Sequence, residues 1–336
     1  MDIESILITG GTGSFGKAFI KRILTIYPKI KRVVVFSRDE LKQWEMQNNF
    51  PENKFPQMRF FLGDVRDIDR LKCAFLDINV VVHAAALKQV PAAEYNPMEF
   101  IKTNIIGAEN IIRAALETNV KRVVALSTDK AAAPSTLYGA TKLCSDKLFV
   151  AANNIKGKQD IRFSVVRYGN VLGSRGSVIP HFLKQRHSGV LEITHKEMTR
   201  FNITLDDGVD LVLQGIKNNI GGEILIPKLS TYKITDVANA VGPNCLQKEI
   251  GIRPGEKINE EMITEADSYS CIDLGRNFCI LPSGSKVINK YKENGIKFSN
   301  VPIGFSYNSG TNKDILSVEQ IRQLIKQNLD PSFTPI

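Results

Sequence analysis

A run of β-formers, Ser5-Ile6-Leu7-Ile8-Thr9, passes directly into Gly10-Gly11-Thr12-Gly13-Ser14-Phe15-Gly16, and from there into a segment with helical apolar spacing, Phe15 to Ile26. The glycines satisfy Gly-x-Gly-x-x-Gly from Gly11 and Gly-x-x-Gly-x-x-Gly from Gly10. Alone, such a match is weak. Between a strand and a helix it predicts a turn whose backbone approaches a pyrophosphate, with the helix N-terminus stabilising the charge. The turn therefore supplies Gly10, Thr12, Gly13, Ser14, Phe15 and Gly16 as candidate dinucleotide contacts.

That beginning demands a parallel sheet, and the first half of the chain provides one. Val33 to Phe36, Met58 to Leu62, Val80 to His83, Arg122 to Leu126 and Arg162 to Val166 are near-continuous apolar runs. Strands of this kind are buried on both faces, and helical segments such as Pro97 to Asn119 lie between them. The expected class is α/β: a doubly wound parallel (Rossmann) sheet with right-handed crossovers and a smaller C-terminal α/β domain. We expect 1–170 to form the dinucleotide domain, with returning segments near 201–230, and 171–200 with 231–336 to form a substrate domain. From Ser268 onward little chemistry is visible, and that tail is expected to be a cap or an oligomer surface.

Composition narrows the function. The net charge is +9, but lysines and arginines are interleaved with acids along the chain, without a basic arm or a binding module. That excludes nucleic acid as the expected partner and leaves a surface that attracts an anionic substrate. Five cysteines, an odd number without Cys-x-x-Cys spacing, read as free thiols, and four scattered histidines give no metal site. No apolar stretch is long enough to span a membrane, so a cytoplasmic protein is expected.

After the second strand stands Ser37-Arg38-Asp39. Arg38 suits a ribose 2′-phosphate and favours NADP, while the Asp39 carboxylate keeps NAD open. Asp64 and Val65 after the third strand are candidates for the adenine, and Ala84, Ala85 and Ala86 leave room for backbone to approach the cofactor. The chemistry is expected in Ser127 to Lys142, beyond the strand Val123 to Leu126. Tyr138 and Lys142 are four residues apart and share a helix face; an ammonium beside the phenol would lower its pKa and make a general base. Asp129 and Lys130 place a carboxyl group and an amine next to it.

The opening glycine motif, Gly63-Asp64-Val65-Arg66-Asp67, His83 to Lys88 and Tyr138-Gly-Ala-Thr-Lys142 together resemble the extended short-chain dehydrogenase/reductases. Ser37 to Lys42, Ser127 to Lys130, Arg167 to Val171, Met198 to Phe201 and Gly251 to Lys257 resemble, more closely, the inverting UDP-N-acetylglucosamine 4,6-dehydratases that open pseudaminic acid synthesis. The resemblance runs from about Ile6 to Lys257. It implies NADP as cofactor, UDP-N-acetylglucosamine as substrate and a homo-oligomer. It implies that Tyr138, assisted by Lys142, takes the C-4 hydroxyl proton with Thr128 on the same oxygen, that Asp129 protonates the departing C-6 hydroxyl, and that Lys130, with a depressed pKa, is the base at C-5.

The resemblance also adds Lys42, Lys88, Asn104, Val171, Gly173, Ser174 and Arg175 as cofactor contacts, and Lys88, Thr128, Asn170, Val178, Thr194, Arg253 and Glu256 around the substrate. Arg253 suits diphosphate oxygens and Glu256 a ribose hydroxyl. Asp129-Lys130 is the most diagnostic pair, since retaining relatives carry Asp-Glu there. Ala133 departs from the asparagine common at its position, as do Gln89 from histidine and Asn202 from an aromatic residue. Two other readings stay open: an epimerase or a dehydratase of other stereochemistry, and a non-enzymatic NADP-binding sensor.

Overall fold

The structure is a computed structural model that describes residues 3–174, 176–282 and 286–336. Six parallel strands form the heart of a ten-stranded sheet: β1 (Ser5–Thr9), β2 (Arg32–Ser37), β3 (Met58–Leu62), β4 (Val80–His83), β5 (Arg122–Thr128) and β6 (Arg162–Tyr168). Their spatial order is β3-β2-β1-β4-β5-β6, and every neighbouring pair is parallel. Side-chain alternation sorts the apolar runs between two cores. Leu7, Val34 and Val81 enter one, beneath Ile111 and Phe149; Ile6, Ile8, Val33 and Val35 enter the other, with Phe19 and Ile20. Burial on both faces is why these strands lack polar alternation.

The first helix, α1 (Ser14–Ile26), buries Gly16, Phe19, Ile20 and Ile23, the i, i+3, i+4, i+7 stripe of a helix lying on a sheet. Each of the three large side chains contributes about 1.5–3 kcal/mol by burial. The second, α2 (Glu40–Asn49), starts under a cap in which Asp39 accepts from the Lys42 amide at 3.0 Å.

Beyond β6 the sheet continues with Ile224–Pro227, parallel to β6, and then with antiparallel Asn277–Ile280, Cys271–Asp273 and Ser299–Asn300. This differs from the expected division: three strands of the tail assigned to the substrate domain, Cys271–Asp273, Asn277–Ile280 and Ser299–Asn300, join the large sheet. The cause is an apolar run the sequence reading passed over; Ile272, Phe278, Cys279 and Ile280 are all buried. Thr199–Ile203, expected to return to the large sheet, instead pairs with Asn170–Val171 and Thr231–Lys233. The helix that follows, Leu205–Asn218, does pack beside α1 and over β5 and β6. A second lobe forms around Ile179, Phe182, Leu191, Val237, Val241 and Ile325.

Candidate active site

The strand order reverses at β1, which has β2 on one side and β4 on the other. Ligands of open α/β sheets sit outside the carboxyl ends at such a point. Here a cavity of about 1470 Å³ runs from this crevice into the second lobe. Its floor is the glycine turn, Gly10 and Thr12 to Gly16. Gly10 has φ +66°, and a Cβ there would meet the Ala85 backbone at 3.0 Å. At Gly16 a Cβ would lie 2.3 Å from the Gly11 carbonyl, so α1 starts hard against the turn. No side chain caps α1 at Gly13, and its first turn carries no acid. The amide donors there are left for a ligand, and the cradle fits a dinucleotide pyrophosphate.

Ser37, Arg38, Asp39 and Lys42 line the same cavity at the end of β2. The Asp39 carboxylate is engaged by the α2 cap and by the Lys42 ammonium, which together hold its pKa below the ordinary value. Among the described residues, the half-exposed Arg38 guanidinium reaches one carboxylate, Asp64, at 3.4 Å.

At the end of β5, Thr128 leads into a short turn, Asp129–Ala131, and then into the helix Leu137–Ile155, capped by Thr136. The helix is pressed onto the turn: a Cβ at Gly139 would stand 2.3 Å from the Lys130 carbonyl. This close approach brings Tyr138 and Lys142 to the same cavity wall as Thr128 and Lys130. Asp129 lies buried beneath them. Its Oδ1 accepts from the Thr128 hydroxyl at 2.8 Å and from Lys130 Nζ at 3.1 Å, while Oδ2 is buried without a partner among the described residues.

Two expectations about proton affinity are corrected. Lys142 Nζ donates to the Leu126 carbonyl at 2.8 Å. Burial instead pushes Tyr138 up to about 12, opposed by the Lys130 charge and the Thr128 hydroxyl. Lys130 was expected to be depressed. Burial does act that way, but Asp129 and Glu260 outweigh it, and the ammonium is held above its ordinary value.

Most of the remaining expected contacts do line the cavity: Val65, Ala84 to Ala86, Lys88, Asn170, Val171, Ser174, Val178, Thr194, Arg253 and Glu256. Three do not. Asp64 is turned to Arg66 and Arg38. Asn104 braces the loop after β4, exchanging hydrogen bonds with the Leu87 backbone at 2.9 Å and reaching Thr141 at 3.0 Å. Gly173, at φ +70°, admits the Leu329 side chain, which a Cβ would meet at 1.9 Å. Arg175 lies outside the described residues.

The sequence reading missed Arg200 and Glu260. Both are buried ions on the cavity wall beside Lys130, and Arg200 Nη2 also holds Glu256 at 3.2 Å. Arg200 stood inside a quoted motif, and Glu260 follows Gly255-Glu256-Lys257 at an alternating inward position with Met262.

Comparison with known proteins follows the same outline. The family model described as polysaccharide biosynthesis protein matches residues 6–282. A Campylobacter jejuni protein named UDP-N-acetylglucosamine 4,6-dehydratase (inverting) is 52% identical over 331 residues, covering 96% of this chain and 97% of that one. A Rickettsia bellii protein named UDP-glucose 4-epimerase is 40% identical over 339 residues, with 97% and 96% coverage. Among solved structures, that of Pen from Bacillus thuringiensis superposes with a TM-score of 0.86 at 36% identity, covering 97% of this chain and 98% of that chain.

Proposed function

We propose, for a chain that belongs to the polysaccharide biosynthesis protein family, the activity of an inverting 4,6-dehydratase acting on UDP-N-acetylglucosamine. The observation that carries the proposal is the contact of Asp129 and Lys130 at 3.1 Å, adjoining Thr128 and Tyr138 on one cavity wall. An epimerase needs a base at C-4 alone. An elimination also needs an acid for the leaving hydroxyl and a base for the carbon beside the ketone.

A nicotinamide dinucleotide, held by the glycine turn and the end of β2, would supply the hydride chemistry: an acceptor for the hydride of C-4 and a donor of it to C-6. Tyr138 takes the C-4 hydroxyl proton, with the Thr128 hydroxyl holding that oxygen. The resulting ketone acidifies the proton at C-5. Lys130 removes it as the C-6 hydroxyl leaves with a proton from Asp129, so that water is lost across C-5 and C-6. A proton then adds to C-5 on the opposite face, giving the 6-deoxy-4-keto L-sugar. The structure's ion pair becomes this acid and base when one proton moves from Lys130 Nζ to Asp129 along the contact between them. Arg253, exposed at the cavity mouth, is assigned to the diphosphate, and Glu256 to the uridine ribose.

NADP is the cofactor of this reading rather than NAD. Its support is an Asp39 carboxylate already engaged by its own helix, beside a half-exposed Arg38. The same reading takes the product towards pseudaminic acid and the enzyme as a cytoplasmic homo-oligomer, both on the strength of the resemblance.

Proton NMR in deuterium oxide with UDP-N-acetylglucosamine and NADP tests the proposal. We expect a C-6 methyl signal and deuterium at C-5 in the inverted configuration. A methyl group with the C-5 configuration retained sinks the inversion, and isomerisation at C-4 without a methyl group gives the epimerase.

A further inference from the structure

Glu260 is 2% exposed and enters the site from outside the catalytic helix, on the segment leading into Glu261–Ile263. Its Oε1 lies 3.2 Å from Lys130 Nζ and 3.9 Å from Arg200 Nε. Its Oε2 is buried with no hydrogen-bond partner among the described residues. A buried carboxylate left half unsatisfied is costly, and removing it would relieve that cost unless it had another task. Arg200 does not fully compensate it: that guanidinium is engaged with the carbonyls of Thr199, Lys257 and Ile258 and with Glu256. The backbone of Glu260 is pinned on both sides, its N–H donating to Ser309 Oγ and its carbonyl accepting from the Ser309 amide, each at 2.8 Å. A side chain so anchored is pre-organised to fix whatever it touches.

We propose that Glu260 is the positioning residue for Lys130: it fixes where the amine stands and stabilises the ammonium formed when that amine has taken the substrate proton. The inference rests on the dehydratase reading and deepens it. In the step concerned, the C-5–H bond breaks and an N–H bond forms on Lys130. The released electron pair expels the C-6 hydroxyl, which leaves as water with the Asp129 proton. Glu260 takes no part in the proton transfer itself; it stands 3.2 Å from the amine that does.

The groups facing Lys130 are Asp129 on its own turn, Tyr138 on the catalytic helix, Lys88 after β4, Arg200 and Tyr232 on two strands of the small sheet, and Glu260. Of these, Asp129 and Glu260 are the anions that raise the proton affinity of the amine. Removing the Glu260 charge lowers that affinity, so the rise of elimination rate with pH moves to lower pH.

The test compares the full-length enzyme with Glu260→Gln and Glu260→Asp, following C-5 deuterium gain by NMR and cofactor reduction by absorbance across a pH series. In the wild type a C-6 methyl must form; if it does not, the dehydratase reading fails first and this role goes with it. With that established, Glu260→Gln should slow C-5 deuterium gain by roughly tenfold or more and shift its pH rise down by about one unit. Reduction of the cofactor, which depends on Tyr138, should stay within about twofold. Glu260→Asp keeps the charge and should hold the pH rise at the wild-type position with a lower rate. A pH rise that does not move in Glu260→Gln, or an equal loss of cofactor reduction and C-5 exchange, overturns the proposal. The second outcome would show a carboxylate that only supports the fold.

Discussion

Ala133 sits in the turn between Asp129 and the catalytic helix with φ +43°, in the left-handed region that costs an L-residue with a Cβ about 1 kcal/mol or more. The asparagine common at this position in the resembling family tolerates that conformation better, which gives the departure a physical meaning. Ala133→Gly or Ala133→Asn should therefore stabilise the fold by about 0.5–1 kcal/mol, read as a higher urea midpoint at unchanged slope. Arg38 poses the other question at this scale. Asp39 is engaged by Lys42 and by the α2 cap, and on the proposed NADP reading discrimination between the two dinucleotides would fall to the guanidinium. A charge-assisted contact of this kind is worth about 1.5–3 kcal/mol, so Arg38→Ala should weaken NADP by roughly ten- to a hundredfold. Direct titration should show NAD affinity changing little. Equal loss for both would place Arg38 on a part of the cofactor they share.

Between elements, two buried polar links join neighbouring parts of the fold. Thr9 and His83 are register partners of β1 and β4, and Thr9 Oγ1 meets His83 Nδ1 at 2.9 Å while accepting from the Ala84 and Ala85 amides at 3.2 Å. Burial first, and the Lys142 charge second, push His83 down to about 3 from 6.5. The folded state thus binds fewer protons than the unfolded chain between these values; the stability is intact above about pH 6.5 and is lost as pH falls towards 3, by a few kcal/mol. His83→Gln should flatten that fall relative to the wild type in urea titrations at pH 7, 6, 5 and 4, roughly one curve per unit of the window. The second link joins β5, β6, the catalytic helix and the strand Glu261–Ile263. Asp146 Oδ2 accepts from Ser127 at 2.7 Å and from Arg167 at 3.1 Å, and Arg167 also reaches the Met262 carbonyl at 2.9 Å. Asp146→Ala leaves a buried guanidinium unpaired and should cost about 3–5 kcal/mol in unfolding free energy. The elements themselves were legible, because apolar β-runs and a glycine turn are local signals. What each ion faces was not: Lys142 meets a carbonyl sixteen residues away and Lys130 the carboxylate of Glu260, far along the chain, and no periodicity encodes such pairings.

Across the whole molecule, the chain crosses between the sheet and the second lobe several times, and the sequence showed the crossings better than their targets. The return of Cys271–Asp273 and Asn277–Ile280 to the sheet edge went unseen because these strands are short and antiparallel, joined by a tight turn rather than by a crossover helix. The lobes meet over the catalytic turn. Lys257 Nζ donates to the Ala132 carbonyl at 2.9 Å, and the Ser135 hydroxyl donates to the Gly255 carbonyl at 2.6 Å. The stretch carrying Arg253 and Glu256 is thereby tied to the turn carrying Asp129 and Lys130. A nucleotide sugar would have to bridge that tie; the cofactor pyrophosphate would not. Lys257→Ala should therefore raise KM for the nucleotide sugar about tenfold while leaving the NADP dissociation constant within about twofold. Thermal unfolding reads the same difference through mass action. At a ligand concentration a hundred times the wild-type Kd, a ligand stabilises by about 2.7 kcal/mol, and a tenfold weaker one by about 1.3 kcal/mol less. The variant should lose that increment with UDP and keep it with NADP. Loss with both would mean that the second lobe closes on the cofactor as well, and no loss with either would mean that the tie plays no part in holding the substrate.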